Sequence, residues 1–327
     1  MLRSWRRLTG GREATDENRP TLVACSGGAD SSALALALAC SGARTVIAHV
    51  VHDMRPPEQA HADRDAARNL AGLLELEFIE REVSVKGGGN AEASARRERY
   101  KALAAMTAEK GCECVATAHH ADDQLETFLM RLGRGSGLRG IRGIRDRAII
   151  AGVPVVRPAL AIDRADCERI CRACGWHWAH DATNEDVSRL RARLRREVTP
   201  VLKAIFPRIA GNSVALLATV RAVDALLRER ALGLATCKVE AASRRVQWAR
   251  PELRAEPDAV IAAGLVGAAE LVGAGRDARR IRREVIDQIV RAIKDGRGGT
   301  RDWHAGQIQW RVGPGGVIVR WRAGDSL

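Results

Sequence analysis

From Thr21 to about Trp178, short apolar runs alternate with longer amphipathic stretches. Thr21 to Cys25, Thr45 to Val51, Glu77 to Val83 and Glu113 to Ala118 have strand length and strand composition. The segments between and after them, Ser31 to Cys40, Glu58 to Leu74, Ala91 to Lys110, Asp122 to Arg131 and Arg164 to Cys174, repeat their apolar positions with helical spacing. Alternation of this kind predicts an α/β fold, a parallel sheet with helices on both faces. In such folds ligands collect at the carboxyl ends of the strands, so the residues just after each strand are the first place to look for chemistry.

After Thr183 the pattern changes. An arginine-rich helical stretch runs from Ser188 to Ile205 and stops at Pro207, helical periodicity resumes from Asn212 to about Ala235, and a last helix covers Ala278 to Lys294. Strand-like alternation at Ile308 to Val312 and Val317 to Trp321 surrounds a Pro-Gly-Gly turn. These features predict a flexible leader over residues 1–19, the α/β domain over 20–206, and a smaller, mainly helical C-terminal domain over 207–327. The best apolar run, Ala33 to Cys40, ends at Ser41 and Gly42, far short of the ~20 residues that cross a bilayer. The basic start lacks the apolar segment of a secretory signal. The expectation is a cytoplasmic protein that spans no membrane.

Composition sharpens this. The 327 residues carry 53 Lys and Arg against 40 Asp and Glu, a net charge of +13. Lysine occurs only at Lys86, Lys101, Lys110, Lys203, Lys238 and Lys294, so nearly all the positive charge is arginine. Planar guanidinium groups suit phosphate, and two clusters, Arg189 to Arg196 and Arg276 to Arg283, point to a polyanionic partner beyond what codon bias alone explains. Aromatic residues are only 3%, which argues against a base-stacking platform. Cys167, Cys171 and Cys174 fall on one helix face and read best as small buried apolar residues, with metal or redox work the less favoured alternative.

The strongest chemical signal is SGGADSS, Ser26 to Ser32, between the first strand and the first helix of the α/β region. Gly27 and Gly28 permit a turn whose N–H groups face an anion, and the following helix adds the positive end of its dipole. Ser26, Ser31 and Ser32 can donate to the same phosphate oxygens. Asp30 fits beside a phosphate if it holds Mg²⁺. The loop is not a Walker A motif, because GxxxxGK[ST] is absent.

SGGxDS after a first strand resembles the pyrophosphate loop of the N-type ATP pyrophosphatases, the PP-loop superfamily. Three further segments are similar to those of tRNA(Ile)-lysidine synthases: NAEASARRERYKAL at Asn90 to Leu103, ATAHHADDQLETFLMRLGRGSGLRGIRGI at Ala116 to Ile144, and RPAL at Arg157 to Leu160 followed by HDATNEDVSRLRARLRREVTPVL from His180 to Leu202. The resemblance runs from about Leu22 to Leu202. It implies a ligase that uses ATP to adenylate the C2 carbonyl of the wobble cytidine in isoleucine tRNA with a CAU anticodon. The ε-amine of free L-lysine then displaces AMP to give lysidine. ATP and Mg²⁺ are the implied cofactors.

Within that reading Asp30, His119, Asp123 and Glu126 are the candidate catalytic residues. Asp123 and Glu126, three apart on one helix face, would hold the lysine ammonium groups. His119 and His120 end the fourth strand, where a ring near neutral pKa could touch ATP or accept a proton from the attacking amine. Arg96 and Arg99 suit a carboxylate or a phosphate. The glycine- and arginine-rich Gly133 to Gly143 reads as a mobile loop over the site, with Arg134 and Arg139 toward tRNA phosphate. Arg191, Arg195, Arg279, Arg280 and Arg283 are assigned to tRNA as well, and Asp181 and Asn184 to ordering the chain before the arginine helix. The sequence departs from the family at His52-Asp53, where His-Gly is usual, and at Ala192, where Asn follows the arginine. Two alternatives stay open: a PP-loop tRNA thiolation enzyme using Cys171 and Cys174, and a catalytically silent RNA-binding protein.

Overall fold

The computed structural model describes residues 1–10, 15–53, 56–85, 91–178, 190–236, 244–273, 281–295 and 298–322. The chain divides into two compact units, Met1–Arg131 with Gly143–Leu216, and Leu132–Arg142 with Leu217–Leu327.

The first unit is built on a six-stranded sheet in the order β3-β2-β1-β4-β6-β5. Its strands are β1 (Thr21–Ala24), β2 (Thr45–His52), β3 (Glu77–Val83), β4 (Cys114–Ala116), β5 (Arg147–Ile150) and β6 (Val153–Val156). All neighbours are parallel except β5 and β6, an antiparallel hairpin turning through Ala151 and Gly152, both at positive φ. The helices are α1 (Leu2–Leu8), α2 (Ala29–Ala39), α3 (Pro57–Leu73), α4 (Ala91–Glu109), α5 (Ala121–Leu132), α6 (Arg164–Ala173), α7 (Leu190–Arg193) and α8 (Thr199–Ile205), with a π-helical turn at Leu194–Val198 joining the last two.

The period-2 alternation of the strands sorts side chains to two faces. Val23 and Ile47 join the core formed by α2 and the buried Cys167 and Cys171 of α6, while Leu22, Val46 and Ala48 pack on Tyr100, Leu103 and Met106 of α4. Each such buried side chain contributes about 1.5–3 kcal/mol, which fixes the helices on both faces. The sheet order reverses between β1 and β4, a switch point that opens a crevice at their carboxyl ends.

The expected flexible leader is corrected in part. Trp5 of α1 is fully buried, its Nε1 donates to Thr21 Oγ1 at 3.1 Å, and the nearly buried Arg19 lies 5.5 Å from the centre of its ring. A large aromatic placed among polar neighbours anchors the segment to β1.

The second unit holds most of α9 (Ile209–Gly233), then β7 (Arg245–Trp248), α10 (Arg250–Ala255), α11 (Asp258–Val272), α12 (Arg283–Lys294), β8 (Arg301–Ala305), β9 (Ile308–Gly313) and β10 (Gly316–Trp321). The strands form an antiparallel sheet in the order β7-β10-β9-β8, so the expected strand pair is extended by a strand on each side. The division between the units falls inside α9, between Leu216 and Leu217, rather than near Phe206, where α8 ends. α9 also corrects the reading of apolar runs, being long and apolar enough to cross a bilayer by length and composition. Its Asp224 is buried against Arg142 at 2.8 Å, its Arg228 pairs with Glu270 and its Arg230 with Glu256, which ties the helix into the second unit.

Candidate functional site

A cavity of about 400 Å³ opens in the first unit at the carboxyl ends of β1, β2 and β4. Its wall includes Ser26, Asp30 and Ser31 from the loop after β1, Arg99 and Tyr100 from α4, His119 after β4, and Asp123 from α5, with Arg191 and Arg195 at its rim.

The loop owes its shape to glycine. Gly27 has φ +82°, and a Cβ there would sit 2.8 Å from the Asp63 carbonyl oxygen of α3. Ser31 Oγ accepts from the Ser26 N–H at 3.1 Å and donates to the Gly28 carbonyl at 3.1 Å, so this hydroxyl braces the loop. His49 Nδ1–H donates to the Cys25 carbonyl at 2.8 Å and secures the loop from β2. Gly28 caps α2 without a side-chain acceptor, which leaves the N–H groups of its first turn for a ligand. Ser26 is exposed at the cavity, whereas Ser32 is fully buried and is not part of its wall.

Asp30 lines the cavity, and its Oδ1 is buried without a hydrogen-bond partner. An unsatisfied carboxylate oxygen on the wall of this cavity fits a hard cation that completes its shell with phosphate oxygens and water. Asp30 Oδ2 lies 3.5 Å from His120 Nε2, whose ring is also 3.6 Å from Asp123 Oδ2 and 3.7 Å from Asp122 Oδ2. Burial opposes charge on His120, but the contact with Asp30 and the fields of the three carboxylates outweigh it and raise its pKa. His119, the histidine singled out from sequence, is the opposite case. Burial drives its pKa down to about 3 against the pull of Asp123, and Thr117 Oγ1 lies 3.0 Å from its Nδ1. Burial thus disfavours protonation of this ring.

Asp123 and Glu126 come together, but on arginines. Asp123 Oδ1 accepts from Arg191 Nη2 at 2.8 Å and Arg195 Nη2 at 3.1 Å, while Oδ2 accepts from the His120 N–H at 3.0 Å. Glu126 is fully buried and accepts from Arg191 Nε at 2.7 Å and from Arg195 Nε and Nη2 at 2.8 and 3.1 Å. Burial by itself would raise the Asp123 pKa; His120, Arg191 and the backbone hydrogen bond reverse that and bring it to about 2. The expectation that Arg191 and Arg195 face tRNA phosphate is therefore corrected: both turn inward to neutralise two carboxylates. Asp122 braces the arrangement, accepting from the Arg164 N–H at 2.9 Å and Lys203 Nζ at 2.8 Å.

Of the α4 arginines, Arg99 lines the cavity, and Arg96 is exposed against the Tyr100 ring at 5.0 Å. Arg157, passed over as a site residue from sequence, is buried nearby, and burial lowers its pKa. The Gly133 to Gly143 stretch is not simply a loose loop: Arg139 pairs with Glu270 and Arg142 with Asp224, so two of its arginines are spent within the second unit, while Arg134 is exposed. Arg283 is exposed beside Asp287. Arg279, Arg280, Asp181 and Asn184 lie outside the described residues. Asp53, at the departure after β2, accepts from Ser84 Oγ and the Val85 N–H, joining the ends of β2 and β3.

A family model of the PP-loop domain matches residues 5–202, the span that contains the whole cavity. The chain belongs to the PP-loop family. This PP-loop protein is 39% identical over 220 residues to the tRNA(Ile)-lysidine synthase of Deinococcus deserti, covering 66% of this chain and 40% of that one. It is likewise 39% identical over 220 residues to the tRNA(Ile)-lysidine synthase of Salinispora tropica, covering 65% of each. The match thus spans from two fifths to about two thirds of these relatives' length. Among solved structures, the U34-tRNA thiolase NcsA of Methanococcus maripaludis shares the fold, with a TM-score of 0.54 at 16% identity over 67% of this chain and 77% of that one.

Proposed function

We propose that this PP-loop protein is a tRNA(Ile)-lysidine synthase, a C–N ligase. It adenylates the wobble cytidine C2 carbonyl oxygen of isoleucine tRNA bearing a CAU anticodon, and the lysine ε-amine then displaces AMP. Pyrophosphate is the product of the first step. The observation that carries the reading is the SGGADSS loop and Asp123 meeting in one cavity, in a chain 39% identical to two lysidine synthases.

The residues divide the work as follows. The N–H groups at the start of α2 and the Gly27-Gly28 turn receive the ATP phosphates, and Arg99 adds charge at the opposite wall. Asp30, with its unpartnered Oδ1, would hold Mg²⁺, which neutralises phosphate charge when bound. His120 holds Asp30, Asp122 and Asp123 in one cluster. Asp123 and Glu126 supply the negative charge that selects the lysine ammonium. Both already carry guanidinium groups, so lysine exchanges with an arginine for those oxygens.

A cluster-dependent thiolation enzyme is less well supported. Cys167 and Cys171 are fully buried in the core with Cys171 Sγ donating to the Ala29 carbonyl at 3.4 Å, and Cys174 is exposed beyond the end of α6. Burial pushes the Cys171 thiol up to about 12, as for a packed, unreactive cysteine.

The test is nucleoside mass analysis of the tRNA after incubation with ATP, Mg²⁺ and lysine. Lysidine should appear with AMP and pyrophosphate, Asp30→Ala should abolish it with the fold retained, and Glu126→Gln should raise the KM for lysine much more than that for ATP. Thiolated nucleoside, or ADP as the nucleotide product, would overturn the assignment.

A further inference from the structure

Among the described residues, helices pack on one face of the four-stranded sheet of the second unit. Its valines and tryptophans, Trp248, Trp310 and Val319 among them, pack into the core with α11 and α12. By alternation the other face carries Arg245 on β7, Arg320 on β10, Gln309 and Arg311 on β9, and Asp302 on β8. The antiparallel register sets Arg320 directly opposite Arg245, and both are exposed. Like charges facing each other across a ladder destabilise it. Neither has an acidic partner among the described residues, and Asp302 is the only acidic residue in the four strands.

Protection against edge pairing accounts for an arginine on β7, which ends the sheet, but not for one on β10, which lies between β7 and β9. Arg320 Nε donates to Gln309 Oε1 at 2.8 Å, so its guanidinium is ordered without being neutralised. Arg311, by contrast, is chelated by Asp302 through two 2.9 Å hydrogen bonds. The tryptophans of the sheet all belong to the covered face, so the open one offers cations and no stacking platform. Such a surface suits phosphates rather than bases.

We infer that this open sheet face is a docking surface for the phosphate backbone of tRNA, with Arg245 and Arg320 as its paired cations and Asp302 restraining Arg311. The inference rests on tRNA being the substrate. It lies outside the residues that match the PP-loop model and uses none of the residues Arg276 to Arg283.

The experiment is direct binding of the full chain to a fluorescent transcript of the CAU-anticodon isoleucine tRNA across a salt series, without ATP or lysine. Arg245→Gln with Arg320→Gln should weaken binding about tenfold near physiological salt and lower the slope of log K against log salt by roughly 1.5–2. Replacing both by lysine should restore most of the slope, since phosphate accepts a point charge. Asp302→Asn should tighten binding and raise the slope by about one, because it releases Arg311. An unchanged slope and affinity in the glutamine variant, or lysine variants as weak as the glutamine ones, would overturn the inference. A wild-type chain that binds no tRNA removes the substrate reading as well, whereas a chain that makes lysidine while the glutamine variant binds normally removes only this surface.

Discussion

Glu126 sits on α5 with no exposed surface and three charge-assisted hydrogen bonds from Arg191 and Arg195. Truncating one partner of a buried ion pair costs about 3–5 kcal/mol, because the remaining charge is stranded. Here the stranded groups keep water access, the Arg191 and Arg195 side chains being 40% and 28% exposed, which places Glu126→Ala at the low end, about 3 kcal/mol. Arg195→Gln removes two of the three bonds but leaves Glu126 held by Arg191, so it should cost about 2 kcal/mol. Once Glu126 is gone Arg195 has lost most of its role, and the double variant should cost little more than Glu126→Ala alone. The predicted coupling is therefore about 2 kcal/mol. Native-state hydrogen exchange on the α5 amides measures it without interference from unfolding of the second unit. Additive losses, with a coupling below about 0.5 kcal/mol, would refute the claim that these arginines serve the carboxylates rather than a distant phosphate.

Gly27→Ala should cost about 1–2 kcal/mol for the left-handed backbone alone, with a further penalty from the contact with Asp63; a lower melting temperature and a raised KM for ATP are the expected results. The His119 pKa falls from 6.5 to about 3 on folding, so below about pH 6.5 the unfolded chain binds a proton that the folded chain refuses. Its contribution is constant above that point and turns destabilising as pH drops towards 3. Urea midpoints at neutral pH and near pH 5 should show a smaller loss for His119→Gln than for wild type, and an equal loss would exclude His119 as the source.

The local pattern of the sequence was enough for the strands β1 to β4, the SGGADSS loop and the helices around it, because strand length, helical period and glycine position act over a few residues. β1 to β4 and α2 to α6 lie within a few residues of their expected bounds. The hairpin of β5 and β6 escaped because RAIIAGVPVV is one short apolar run whose turn, Ala151-Gly152, carries no strong signal. Likewise α11 was hidden, since its nearly continuous apolar composition has no polar face to give a period.

What a charged residue does was a different matter. Sequence marked Arg191 and Arg195 as cations and Asp123 and Glu126 as anions, yet only the fold brings residues more than sixty positions apart within hydrogen-bond reach, turning two presumed tRNA contacts into internal counterions. Sequence could not separate His119 from His120 either, since adjacent rings differ only in what surrounds them: one is half-buried beside a hydroxyl, the other buried among three carboxylates. Backbone shape is set largely by neighbours along the chain, whereas the charge state and partner of a side chain are set by neighbours in space. That is why the SGGADSS loop was legible in seven residues, and the cluster of carboxylates and arginines near it was not.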